Sequence, residues 1–334
     1  MRGKGAIVKL GIIGTGNIVS WIAPNLASWG VDVVAISGTP RSEATMQRMA
    51  DEYGASGRYT NWRDLIDDAN VDTVYVAVPN FLHYDVCEAA LLAGKDVVCE
   101  KPLTSDYEDT VKLAELARTN GRFLWEAIVT TRQPNFKNVQ SLLPRIGTIK
   151  MVSSTFSQYS SRYDAFRAGE VLPAFDPAKA GGALMDLGLY TLTFTLALFG
   201  EPRAARYLPN IDRNIDTSGV AILEYDGFTA INVCAKDSGA PNRSVIQGID
   251  GWIQMESAPN SCGAVTLHLN DGTEEYYDDC LDNMWEAEWR SFKAQQDAGN
   301  LKACYDELDA SLLVNRIQND IRIKSGVLFP SDKV

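Results

Sequence analysis

Short apolar runs alternate with stretches of helical periodicity through the first third of the chain. Residues 8–13, 33–37, 73–78 and 96–99 read as strands. Between them, 42–53, 61–68, 83–93 and 105–120 carry apolar residues at helical intervals, and Gly94 and Gly121 stand where helices stop. Repeated βαβ units of this kind predict an α/β domain built on a doubly wound parallel sheet. Ligands of such sheets sit beyond the carboxyl ends of the strands, where the strand order reverses.

After about residue 125 the rhythm changes to longer strand-like runs at 150–159, 219–225, 228–235, 244–249, 252–257 and 264–269. Turn signals at Asp226-Gly227, Asp250-Gly251 and Asn270-Asp271-Gly272 lie close enough for antiparallel hairpins or meanders. A helix over 182–199 interrupts them, and two more, near 283–298 and 305–324, close the chain. The expectation is an α/β domain over 1–125 followed by an α+β domain over 126–334. The second would hold a large open, mostly antiparallel sheet, with the C-terminal helices returning toward the first domain. A length of 334 residues suits two domains of about 100–200 residues each.

With 43 acidic residues against 31 basic, the net charge is −12. That excess repels phosphate backbones and anionic lipids, and no basic patch offsets it, so nucleic acid and membrane surfaces are poor partners. The N-terminus, residues 1–10, lacks the apolar stretch and small-residue cleavage site of a secretory signal, and runs such as 71–79 fall far short of a bilayer span. Six cysteines without C-x-x-C spacing and only two histidines, His83 and His268, argue against a metal site. They fit buried free thiols in a reducing, cytoplasmic setting.

Candidate chemistry begins at Gly14-Thr15-Gly16-Asn17-Ile18. Two close glycines lie between a strand and a helix, where main-chain N–H groups receive a pyrophosphate. This is a Rossmann-type dinucleotide turn, although Val19 replaces the third small residue of the motif and a plain tight turn would use the same residues. The second strand ends in Ser37-Gly38-Thr39-Pro40-Arg41-Ser42, without the acid that an NAD-preferring site offers the ribose. Hydroxyls of Ser37, Thr39 and Ser42 with the Arg41 guanidinium suit a 2′-phosphate, so NADP is the expected cofactor, with NAD possible. Arg41 equally suits a solvated helix start.

Pro79-Asn80-x-x-His83 and Glu100-Lys101-Pro102 end two further strands, and Gly181-Gly182-x-x-x-Asp186 follows in the second half. In this order the segments resemble the glucose-fructose oxidoreductase, inositol dehydrogenase and rhizopine-catabolism (Gfo/Idh/MocA) family over almost the whole chain. The resemblance implies that Pro79, Asn80, His83 and Glu100 line the cofactor site with Lys101, which also contributes to catalysis. His83 would support the loop near the nicotinamide or act as a structural cap. It further implies an open sheet used for oligomerisation, as a homodimer or homotetramer.

Many members carry His where this chain has Tyr190, and the Tyr form is similar to the branch containing dimeric dihydrodiol dehydrogenases. There the Tyr is the acid/base. Asp186 and Tyr190, four apart on the expected helix, would share one face. Asp186 would orient substrate or Lys101, or serve as a structural partner. Lys101 would lower the Tyr190 pKa from its reference of about 10. Thr131 stands where relatives often have Arg, which clouds a cofactor role for Arg132. The loop over 162–167 offers substrate contacts or merely charge, and His268 suggests no catalysis.

The implied activity is hydride transfer between a nicotinamide and an alcohol or carbonyl carbon of a sugar, sugar derivative, cyclitol or trans-dihydrodiol. Short-chain dehydrogenases, which need Lys four residues after Tyr, are excluded, since no tyrosine here has that neighbour. A dinucleotide- or sugar-sensing regulator on the same fold is the alternative.

Overall fold

The computed structural model describes residues 7–332. Residues 1–6, which carry part of the expectation of no secretory signal, lie outside them, as do 333–334. The chain forms two compact units. One takes in the chain up to Ala127 together with Trp285–Leu312, and the other takes Ile128–Met284 with the residues from Leu313 on.

The first unit holds a six-stranded, wholly parallel sheet. Its strands are β1 (Val8–Ile13), β2 (Val31–Ser37), β3 (Gly57–Tyr59), β4 (Thr73–Val76), β5 (Asp96–Glu100) and β6 (Leu124–Ala127), in spatial order β3-β2-β1-β4-β5-β6. Strand order reverses between β1 and β4, whose last residues Ile13 and Val76 are in register, and the crevice for ligands opens there. The expected strand over 73–78 stops at Val76. Ala77 N–H still donates to Ile13 O (2.9 Å), but Pro79 has no N–H and opens a 3₁₀ turn at Asn80–Leu82.

Helices cover the sheet, and side chains set their starts. The Asn61 carboxamide oxygen accepts from Arg63 N–H, and the Asp106 carboxylate accepts from Glu108 and Asp109 N–H. Glu286–Ala298 adds a late helix to this unit. There Gln296 donates to Thr73 Oγ1 (2.9 Å) and Asp96 Oδ2 (2.7 Å), and Trp289 packs edge-on against Tyr75 at 5.1 Å.

The second unit holds an eight-stranded sheet. Its strands are β7 (Ile149–Ser157), β8 (Ala204–Asp212), β9 (Ile215–Tyr225), β10 (Phe228–Ala235), β11 (Arg243–Gly248), β12 (Gly251–Glu256), β13 (Val265–Leu269) and β14 (Glu274–Tyr277), in order β14-β13-β12-β11-β7-β10-β9-β8. All neighbours are antiparallel except β7 and β10. Alternate residues such as Val152, Phe156, Ala230 and Leu223 join a core with Leu192, Phe194 and Leu196 of the helix Leu189–Phe199. The intervening residues form an open face where Met151, Leu208 and Tyr276 are exposed.

Among the described residues one segment, Pro177–Phe199, is long and apolar enough to cross a membrane, contrary to the sequence expectation that every apolar run is too short. Its apolar window is 72% buried inside the fold, so its hydrophobicity serves the core.

Candidate active site

The glycine turn is dictated by crowding. Gly14 has φ +127°, its N–H donates to Ser37 O (2.9 Å), and a Cβ there would lie 2.1 Å from Ala77 O. Only glycine fits where the ends of β1, β2 and β4 converge. Gly16 is different: a Cβ on it would meet nothing, so its outer side is open. It caps the helix Asn17–Leu26, which has neither a side-chain cap nor an acid in its first turn. The positive helix end is therefore presented to an anion, beside Thr15, Asn17 and Ile18. Val19 is fully buried in the core, so the missing third glycine reflects a different packing residue and leaves the cradle intact. The residues present fit a dinucleotide.

At the end of β2, Ser37 is buried and Arg41 is exposed. Thr39 and Ser42 form a capping box, with Thr39 N–H donating to Ser42 Oγ (2.9 Å). A Cβ on Gly38 would press on Ser42 Oγ (2.9 Å) and Met46 Cβ (3.1 Å), so an acid at that position would disturb packing as well as charge.

Lys101 follows β5 directly. Glu100 Oε1 accepts from the Tyr75 hydroxyl (2.6 Å), and Oε2 accepts from Lys101 N–H (3.3 Å). Burial raises the Glu100 carboxyl above its usual range, with Tyr75 and the Lys101 charge opposing. Leu103 N–H donates to Glu126 Oε1 (2.9 Å). His83 is fully buried, with Nδ1 2.8 Å from Pro102 O and Nε2 2.9 Å from Val78 O, and burial lowers its pKa. Each ring nitrogen lies within hydrogen-bond distance of a main-chain carbonyl, and the one that carries the proton donates, so His83 sits between the turn after Lys101 and the end of β4, next to Pro79 and Asn80.

In the second unit the paired glycines answer to close approaches. A Cβ on Gly181 would lie 2.7 Å from Pro173 O, and one on Gly182, at φ +109°, would lie 2.2 Å from Asp216 Oδ1. Asp216 is fully buried, and its Oδ2 accepts from Leu184 N–H (2.7 Å) and the Tyr207 hydroxyl (2.8 Å). It thereby fixes the start of the signature helix.

That helix is not the single run expected over 182–199. Leu184–Gly188 is a π turn, and the α-helix runs from Leu189. Asp186 lies in the π turn and Tyr190 on the α-helix, so their spacing is not that of one uninterrupted α-helix. Wide turns of this kind are frequent at functional sites. Tyr190 is half-buried, its ring 5.8 Å from Phe156. Asp186 Oδ2 pairs with Lys236 Nζ at 2.9 Å.

Lys236 and Asp216 escaped the sequence reading. The available signal was weak: a charge just past an alternating strand, and a polar Asp216-Thr217-Ser218 run opening β9. Arg132 is buried in this unit, donating to Ile128 O (2.9 Å). His268 stacks on Trp252 and pairs with Glu274 (3.0 Å) on β13 and β14. Among the described residues no group of three His, Cys, Asp or Glu is placed to hold a metal.

Comparison with known proteins identifies the family. The profile of an oxidoreductase family with an NAD-binding Rossmann fold matches residues 8–128, and the GFO/IDH/MocA C-terminal domain matches 143–254. The chain belongs to the GFO/IDH/MocA oxidoreductase family. It is 31% identical to scyllo-inositol 2-dehydrogenase (NADP(+)) IolU of Bacillus subtilis, over 98% of this chain and 100% of the relative. It is 26% identical to trans-1,2-dihydrobenzene-1,2-diol dehydrogenase of Mus musculus, over 98% of each. The fold is shared with a 3-ketoreductase, KijD10, of Actinomadura kijaniata solved with NADP and TDP-benzene: TM-score 0.82, 23% identity, 95% of this chain and 97% of that one. The protein is thus an NAD(P)-dependent dehydrogenase or reductase acting on CH–OH groups, with the expected two-part α/β and α+β fold.

The buried carboxylate of this oxidoreductase carries a pH signature. Burial pushes Asp216 up to about 6, against the pull of Leu184 N–H, Tyr207 and Lys236. Its usual value is about 3.9. A raised folded-state pKa contributes stability below pH ~4 that is lost as pH rises through ~6, about 3 kcal/mol in all. Asp216→Asn removes that titration. Urea unfolding at pH 4.5 and 7 is expected to show the variant gaining on the parent as pH rises, by about 2 kcal/mol. A difference independent of pH would show that the carboxyl titrates normally.

Proposed function

We propose that the enzyme prefers NADP and interconverts alcohol and carbonyl on a sugar, sugar derivative, cyclitol or trans-dihydrodiol. In this reading Tyr190 is the acid/base and Lys101 assists. The observation that carries it is Lys101 at the carboxyl end of β5, in the same unit as the open-sided glycine turn at the strand-order reversal. Relatives of the same length act on an inositol and on a dihydrodiol, by their names.

The bound nicotinamide supplies the hydride acceptor or donor. In oxidation Tyr190 takes the hydroxyl proton, and Lys101 hydrogen-bonds the reacting oxygen and favours the phenolate. In reduction both transfers reverse. The absence of an acid after β2, together with the exposed Arg41, favours the 2′-phosphate. The open face of the second-unit sheet is read as the contact of a homodimer or homotetramer. Five buried free thiols fit a reducing compartment such as the cytoplasm.

The test is nicotinamide absorbance with NADP and NAD separately, over sugars, cyclitols and trans-dihydrodiols. Turnover is expected to be faster with NADP and abolished in Lys101→Met. Arg41→Ala is expected to weaken NADPH binding by about 10-fold while leaving NADH unchanged, because it removes one charge-assisted contact. A parent that binds NADPH but turns over none of the panel would overturn the reading. Equal loss of NADH and NADPH in Arg41→Ala would remove Arg41 from cofactor choice.

A further inference from the structure

Lys236 belongs neither to the cofactor turn nor to the glycine signature, yet its place is fixed on every side. It follows β10, its N–H donates to Thr217 O (2.8 Å), and its carbonyl accepts from Ser160 N–H (2.8 Å). Its side chain is only 4% exposed. The ammonium lies 2.9 Å from Asp186 Oδ2, donates to Ala174 O (3.0 Å), and sits 5.0 Å from the centre of the Phe175 ring.

Taking an ammonium out of water is costly, and a carboxylate partner does little more than offset that cost. Methionine would fill similar space without it, so packing alone does not account for a lysine here. The pair is also lopsided. Lys236 is enclosed, whereas Asp186 keeps 40% of its side chain exposed. What the pair presents outward is a partly exposed carboxylate whose Oδ2 is held by Lys236, a group that only accepts hydrogen bonds. An acceptor of that kind suits the hydroxyls of a neutral polyol. A second carboxylate that feels the Lys236 charge, Asp216, is fully buried, with Oδ2 engaged by Leu184 and Tyr207.

We propose that Lys236 is a positioning residue, holding Asp186 as a fixed acceptor for a substrate hydroxyl next to the carbon that exchanges hydride. This rests on the polyol reading above. Lys236 touches neither substrate nor cofactor; it acts through Asp186. Without it the carboxylate is no longer held in place in the π turn, and polyol binding and alignment suffer together, while cofactor binding, a property of the first unit, does not.

The test is a double-mutant cycle of Lys236→Met, Asp186→Asn and the double variant, read with the polyol that the parent oxidises fastest. NADPH affinity is followed by fluorescence and folding by urea unfolding. Lys236→Met is expected to lower kcat/KM by about 30-fold, with KM raised, and to leave NADPH affinity within about twofold. In the Asp186→Asn background the same change is expected to cost less than about threefold, because the group it positions is already altered.

Parent-like constants in Lys236→Met would overturn the proposal, as would an equal loss in both backgrounds, the mark of a residue acting on the fold at large. If Lys236→Met does not fold, Lys236→Gln takes its place in the same cycle with the same criteria. A parent inactive on every polyol would overturn the functional reading and this proposal together, whereas an active parent with an unaffected Lys236 variant overturns only the proposal.

Discussion

Replacing Tyr190 with Phe is expected to lower kcat by at least about 100-fold while NADPH affinity stays within about twofold of the parent. A positioned proton donor or acceptor contributes ~10²–10⁴-fold, and with Tyr190 in the role proposed above the substitution deletes that group with almost no change in volume. Its surroundings make the comparison clean. Tyr190 lies in the first turn of Leu189–Phe199, half-buried, with its ring beside Phe156. A phenyl ring keeps that aromatic contact, and the helix is anchored elsewhere, by the Asp216 bond to Leu184 N–H and by Gln318 donating to Leu184 O (2.9 Å). Folding stability is therefore expected to change little, and the loss to appear in kcat rather than in cofactor binding. Steady-state kinetics beside an NADPH titration and a thermal melt separate these quantities. Turnover near the parent level would return the acid/base role to water or another side chain.

What could be read from the chain follows what each element must bury. Parallel strands covered on both faces show as continuous apolar runs, and β1, β2, β4 and β5 were legible for that reason. The edge strands β8 and β14 were not. β8 is mostly exposed and contains Pro209, and β14 reads Glu-Glu-Tyr-Tyr, so each turns only one or two residues, Ala205 and Tyr207 or Tyr277, to the core and shows no apolar run. The parallel pairing of β7 with β10 depends on partners some 80 residues apart and leaves no local mark.

The site divides in the same way. Gly14 announces itself, because a backbone conformation that excludes side chains restricts the residue type directly, and Gly16 is legible by its spacing from Gly14 ahead of a helix. The π turn around Asp186 does not, since its sequence is that of any apolar helix. Lys236 meets Asp186 across fifty residues, and as a lone charge past a strand end it looks like a solvated terminus. Asp216 sits in a polar run that suggests a loop but is buried at the start of β9. His83 was legible as a residue near the site; that both its nitrogens face main-chain carbonyls is a tertiary fact.

The two glycines of the cofactor turn are expected to fail in different ways when given a methyl group. In Gly14→Ala the new Cβ would lie 2.1 Å from Ala77 O, at a φ of +127° that L-residues rarely adopt. The main chain must therefore move, at a cost of about 2–5 kcal/mol from strain and overpacking. Movement there breaks the Gly14 N–H bond to Ser37 O and displaces the start of Asn17–Leu26. NADPH binding is then expected to fall beyond detection, and the melting temperature with it.

In Gly16→Ala the Cβ meets no protein atom, and the backbone (φ −78°, ψ 177°) is one that alanine adopts freely. The expected cost in folding is no more than about 1 kcal/mol, that of a poorer helix cap. The methyl would stand instead in the open space before the helix N-terminus, where a pyrophosphate must approach main-chain N–H groups closely. Loss of NADPH affinity by at least about 10-fold is therefore expected with stability nearly intact, since a methyl that holds the phosphate away from the main chain forfeits a charge-assisted hydrogen bond. Thermal melts and NADPH titrations of the two variants read both quantities. A Gly16→Ala protein that binds NADPH as the parent does would place the phosphates elsewhere, and the case for a dinucleotide at this turn would then have to rest on Gly14, whose constraint comes from the fold alone.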